Sequence, residues 1–123
     1  MKVLLSIKPE YAESILDGSK HFEFRKSIFK REGVEKVVIY ATMPVGKVVG
    51  EFDVDGVLAM EPRKLWKETK ENAGISHNFF RSYFSGKDKG FAIKVKNPRR
   101  YDTPCALNEV IPNGVAPQSY RYL

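Results

Sequence analysis

Lysine, glutamate and arginine stand at positions 20, 23 and 25, inside the stretch G-S-K-H-F-E-F-R-K that runs from Gly18 to Lys26. From His21 to Arg25 the residues alternate strictly. In an extended strand Phe22 and Phe24 point one way, while His21, Glu23 and Arg25 point the other. Glu23 and Arg25 therefore share a face and can meet both each other and one ligand. Arginine offers a planar fork that matches phosphate or carboxylate, and lysine a mobile point charge. Two readings stay open on spacing alone. One is the floor of a site for an anionic or polar ligand; the other is a surface ion pair worth less than about 1 kcal/mol.

Further basic residues sit among aromatics. Lys26, Lys30 and Arg31 lie near Phe29, Lys96, Arg99 and Arg100 precede Tyr101, and Lys87 and Lys89 flank a turn. Positive grooves with stacking rings hold single-stranded nucleic acid, whereas solvated turns are the plain alternative. Trp66 with Phe79, Phe80, Tyr83 and Phe84 has helical spacing, and such a stripe reads as core rather than as a stacking platform. Cys105 as a nucleophile, with His21 or His77 as its base, lacks any flanking signature. Two scattered histidines and one cysteine make no metal site. There is no P-loop, dinucleotide fingerprint or nucleophile elbow, so neither a metal nor a cofactor is expected.

The elements that must position these residues follow from local pattern. Val3 to Ile7 reads as a short apolar strand. Pro9 suits the first turn of a helix that carries Ala12, Ile15 and Leu16 on one face and ends at Asp17, with Gly18 as its left-handed closing residue. Strands are expected at His21–Arg25, Val34–Ala41 and Val48–Val57, the last bent or bulged at Gly50 and Gly56. Pro62 opens a helix with Leu65, Trp66 and Thr69 on one side, stopped by 72–74. Ser76 caps a second helix that ends before Gly86. Phe91–Val95 and Tyr101–Leu107 read as extended, as does the tail A-P-Q-S-Y-R-Y-L.

Strands without regular alternation with helices predict an α+β domain, a small and mostly antiparallel β-barrel with two or three short helices packed on it. The 123 residues fit a single domain, 1–123, long enough to bury roughly two-thirds of its unfolded surface. With 42% apolar and 29% charged residues the composition is that of an ordinary globular chain. The formal charge of +6 tilts the partner towards an anion such as nucleic acid. One cysteine precludes an intrachain disulfide, and no segment has the length of a signal core or a membrane span, so a cytoplasmic location is expected.

Taken along its length, the chain resembles ASCH domains, a PUA-related β-barrel family with a G-x-K-x-x-E-x-R-like signature directly after its first helix. Gly18, Lys20, Glu23 and Arg25 match it. V-V-I-Y-A-T-M-P, V-V-G-E-F, F-x-x-Y-F-x-G, the F-A-I strand and P-Q-S-Y are similar to small bacterial and phage-encoded members. The resemblance implies a five- or six-stranded PUA-like barrel with a cleft floored by the signature residues, and binding of RNA, a nucleoside or a nucleotide. It assigns Lys20 and Arg25 to phosphate or carbonyl oxygens, and Glu23 to orienting them or to a base amino group. Tyr40 and Thr42 are expected on the cleft wall, Gln118, Ser119 and Tyr120 on its far side, and Lys26, Arg99 and Arg100 as rim charges.

The same family offers two enzymatic alternatives. Some members are amidohydrolases acting on N4-acetylcytidine through a lysine, a threonine three residues on, and a distant glutamate. Here those places fall on Lys20, Glu23 and Glu71, so the hydroxyl is replaced by a carboxylate. Another member is a ribonuclease. A small-ligand-sensing regulatory domain is the remaining alternative.

Overall fold

The computed structural model describes all 123 residues. Six strands are present: β1 (Lys2–Ile7), β2 (Phe22–Arg25), β3 (Lys36–Ala41), β4 (Lys47–Met60), β5 (Gly90–Cys105) and β6 (Tyr120–Tyr122). They form one sheet in the order β2-β5-β4-β3-β1-β6. Only the β1–β3 pair is parallel; every other neighbour is antiparallel. Register shifts at Val48/Gly50, Glu51/Asp53 and Val54/Val57 interrupt the β4–β5 ladder, and bulges of this kind bend a sheet into a half-barrel. The architecture is the expected α+β barrel type.

Four helices rather than two or three accompany the sheet: α1 (Pro9–Leu16), α2 (Pro62–Thr69), α3 (His77–Tyr83) and a single turn, α4 (Leu107–Val110). A short 3-10 turn, Lys70–Asn72, follows α2. Proline opens both α1 and α2, and Ser76 caps α3 by accepting from the Phe79 amide at 3.1 Å. Gly18 closes α1 at φ +89°.

β5 differs from the sequence reading, which split it at N-P-R-R. It runs unbroken for 16 residues. Asn97 takes a positive φ of 49°, and Asn97 and Pro98 sit in the bulge between the Glu51 and Asp53 registers. There the missing proline N–H leaves no ladder bond unmade. The expected extension to Leu107 stops at Cys105, because Leu107 turns inward to begin α4.

The apolar run of β1 is explained by burial on both faces. Val3, Leu5 and Ile7 join Ala12 and Ile15 of α1, Val37, Ile39, Phe52 and Ile93 in the principal core. Leu4 instead packs with Val38, Tyr40, Val48, Leu107 and Ile111 beneath α4. A third cluster sets Phe24 and Ala92 of the sheet against Leu65, Phe80 and Phe84 of α2 and its following segments. No helix is long and apolar enough to cross a membrane.

Candidate functional site

Strand β2 is the edge of the sheet, paired only with β5, and its register decides what the signature residues do. Phe24 stands opposite Ala92 and faces the third core. Glu23 stands opposite Ile93, a principal-core residue, so the charged face of β2 turns into the mouth of the barrel instead of outwards. Glu23 is only 6% exposed and Lys20 only 1%.

Lys20 follows the Gly18 turn, its amide donating to the Ser14 carbonyl at 3.0 Å. Its stem runs beneath Gly74. A Cβ there would lie 2.5 Å from Lys20 Cγ, and Gly74 adopts φ +69°, so both the space and the backbone call for glycine. The ammonium donates to the Ala73 carbonyl at 2.6 Å and lies 4.8 Å from the Phe24 ring centroid and 5.2 Å from that of Tyr11. Burial pulls its pKa down to about 8, and the Glu23 carboxylate opposes the change. One of its three N–H donors is committed to Ala73; the head borders the cleft.

Arg25 closes the barrel. Nη1 donates to the Ser6 carbonyl of β1 at 3.3 Å and to Glu23 Oε2 at 3.1 Å, and Nη2 donates to the Ser119 carbonyl at 2.7 Å. The guanidinium thus ties the edge strand β2 to β1 and to the residue that leads into β6, the other edge. Three of the five donors of arginine are committed, which leaves Nε–H and one Nη2–H for a ligand. Burial pushes the Glu23 carboxyl above its usual range, against the pull of Arg25 and Lys20. Glu23 Oε1 takes no hydrogen bond from the protein. Because no buried side-chain oxygen lacks a partner, Oε1 opens on the cleft.

The cleft above these groups has a volume of about 240 Å³. Its floor is Lys20, Glu23 and Arg25, and its wall is a run of rings: Tyr11 meets Phe79 edge-on at 5.6 Å, and Phe79 stacks on Tyr83 at 6.2 Å. Tyr83 is held by a bond to the Phe24 carbonyl at 3.3 Å. Burial raises the pKa of both tyrosines, so each remains a neutral hydroxyl donor. Lys8 lies 5.1 Å from the Phe79 ring and Lys26 4.7 Å from the Tyr83 ring, at the entrance.

Other expected site residues are dispersed. Gln118 lines the cleft. Ser119 contributes its carbonyl to Arg25, and its hydroxyl lies 3.5 Å from that of Ser27. Tyr40 belongs to the core under α4, since its parity on β3 is that of Val38 and not of Ile39. Thr42 sits in the turn after β3, its amide on the Ile7 carbonyl. Tyr120 packs against Phe29 and Tyr122 behind the seam. Arg99 is engaged by Glu51 at 2.6 Å and Asp53 at 3.0 Å, and Arg100 by Glu13 at 2.7 Å, all away from the cleft. Glu71 is exposed on the 3-10 turn and lines no part of the cleft.

The aromatic wall departs from the expectation that the α3 stripe lies in the core. The stripe is in fact two pairs. Phe80 and Phe84 face the third core, and Phe79 and Tyr83, one position earlier and so about 100° round the helix, face the cleft. The offset between two i, i+4 pairs was the available signal.

A family model described as the ASCH domain matches residues 5–104. An ASCH domain-containing ribonuclease of Zymomonas mobilis is 31% identical, over 99% of this chain and 84% of that protein. Large ribosomal subunit protein uL22 of Ureaplasma parvum serovar 3 is also 31% identical over 98% of this chain, which spans 39% of that protein's length. The crystal structure of ASCH from Zymomonas mobilis superposes with a TM-score of 0.91 at 30% identity, covering 99% of this chain and 87% of that one.

Proposed function

The chain belongs to the ASCH domain family, and on that premise we propose that it binds single-stranded RNA, with one nucleotide entering the cleft between α1, β2 and α3. The observation that carries this reading is the facing of two unlike surfaces across about 240 Å³: a row of buried Lys20 and Glu23 and half-buried Arg25 below, and the rings of Tyr11, Phe79 and Tyr83 beside it. Charge and N–H donors suit phosphate and carbonyl oxygens, and rings suit a base. Glu23 Oε1 is an acceptor for a base amino group. The test is titration of short oligouridine and oligocytidine at two salt concentrations with wild type, Lys20→Met and Tyr83→Leu. Affinity that ignores salt and both substitutions would sink the reading.

A second reading adds cleavage, and two observations favour it. The Zymomonas mobilis relative is named a ribonuclease, and the cleft pairs a carboxyl raised by burial with an amine lowered to about 8. Burial thus brings the proton affinities of the two groups closer together, which is what a paired base and acid require. In this scheme Glu23 accepts the proton of a ribose 2′-hydroxyl as its oxygen attacks the adjacent phosphorus. Arg25 steadies the added charge with its free donors. The bond from phosphorus to the 5′-oxygen breaks, and the Lys20 ammonium protonates that oxygen, giving a cyclic phosphate and a 5′-hydroxyl. An oligonucleotide with 2′-deoxyribose at every position must then bind but stay intact; cleavage of it would exclude the scheme.

A further inference from the structure

Helix α3 has a second side that the cleft does not use. Between α2 and α3 lies a groove of about 710 Å³, with Arg63 and Lys67 on one bank and Arg81 and Lys87 on the other; Glu61 is its only acid. None of these four cations enters an ion pair or a hydrogen bond with the protein, whereas Arg99 and Arg100 are both neutralised by carboxylates. Within the same groove the rings of Trp66 and His77 are parallel, with centroids 4.7 Å apart and planes 9° apart. Trp66 is backed by Phe80, and His77 is exposed, so the stack has one end in the core and one end available.

We infer that this groove is a second subsite for single-stranded nucleic acid, carrying the strand onward from the cleft. Four free cations around a ring stack answer to phosphates around a base, and a base laid on His77 would lengthen a stack already begun. A purely anionic partner would have no use for the stacked pair. Geometry joins the two sites. Phe79 and Tyr83 line the cleft while His77 and Arg81 line the groove, so α3 is the ridge between them. A helix roughly 10–12 Å across is spanned by about three stacked nucleotides. A trimer therefore fits the cleft alone, and a dodecamer reaches both.

The inference rests on the proposed RNA binding, and the experiment separates the two. Fluorescence anisotropy of labelled oligouridine trimer and dodecamer is measured across a salt series. The proteins are wild type, the quadruple variant Arg63→Ala, Lys67→Ala, Arg81→Ala and Lys87→Ala, and a control of equal net charge, Lys2→Ala, Lys30→Ala, Lys47→Ala and Lys96→Ala. His77→Ala and the cleft variant Lys20→Met complete the set. Thermal melts verify that each is folded. The groove variant should lose at least about tenfold affinity for the dodecamer, with a salt slope lower by about 3, and keep wild-type affinity for the trimer. His77→Ala should weaken the dodecamer several-fold at unchanged slope. Wild-type dodecamer binding by the groove variant, or an equal loss in the control, overturns the subsite and leaves the cleft reading intact. Lys20→Met that binds both oligomers normally overturns the cleft reading and leaves the groove standing. If the wild type binds neither oligomer but sediments with phosphatidylserine vesicles, both nucleic-acid readings are overturned.

Discussion

At Lys20 two forces oppose each other: burial disfavours the ammonium, and Glu23 together with the Ala73 carbonyl favours it. With the midpoint near 8, the amine is charged at pH 7 and loses its proton well before surface lysines do, near ~10.4. RNA affinity should accordingly fall between pH 7 and 9, and Lys20→Arg, which stays charged, should flatten that profile. Parallel profiles for the two proteins would remove Lys20 from ligand contact. For Glu23 the decisive substitution is Glu23→Gln, which keeps the shape and an acceptor for Arg25 but cannot take a proton. Under the cleavage scheme it lowers the rate of oligonucleotide cleavage by about 100-fold or more, and leaves affinity within about threefold of wild type. Arg25 is different in kind. Its three committed bonds make it a clasp first and a ligand donor second. Arg25→Met strands a buried carboxylate and should cost about 3 kcal/mol in chemical denaturation.

At the scale of elements, the loop from Ala73 to Ile75 is as much a part of the site as β2. Gly74→Ala imposes a positive φ on a residue with a side chain and drives a methyl into the Lys20 stem, so a loss of about 1–3 kcal/mol is expected in thermal or urea unfolding. An unchanged midpoint would mean that Lys20 lies elsewhere. Substituting Phe79 or Tyr83 by leucine should weaken RNA binding by about 1–3 kcal/mol while leaving the salt slope alone, since stacking carries no charge. Much of this arrangement was legible beforehand: alternation from His21 to Arg25, the glycine after α1, the proline starts and the Ser76 cap are all local. The inward turn of the charged face was not, because it depends on Glu23 standing opposite Ile93, 70 residues along the chain. Pattern shows which residues share a face and leaves open what covers that face. The same limit explains Tyr40. It adjoins Ala41 and Ile39 in sequence but faces away from them into the core under α4, a layer made by a one-turn helix too short to announce itself.

For the molecule as a whole, the buried amine leaves a mark on stability with a definite sign. The Lys20 pKa is near 8 when folded and near ~10.4 when unfolded, so between those values the unfolded chain binds more protons and folding gains as pH rises. The stability of wild type relative to Lys20→Met should shift in favour of wild type by about 2 kcal/mol from pH 8 to 10, read from urea titrations at each pH. A constant difference would mean that the amine is not buried in the folded state. The order of assembly follows from the clasp. Arg25 completes the mouth of the barrel only when it finds the Ser119 carbonyl, 94 residues further on. At roughly 5–20 residues per second, a growing chain carries its signature residues for about 5–20 s before that partner has been made. Throughout this interval the chain is attached to a ribosome, a particle made largely of RNA, with the row of charges in hand and no finished cleft to hold them. The cleft therefore cannot be complete until Ser119 has been made, as a by-product of how the sheet is sewn shut.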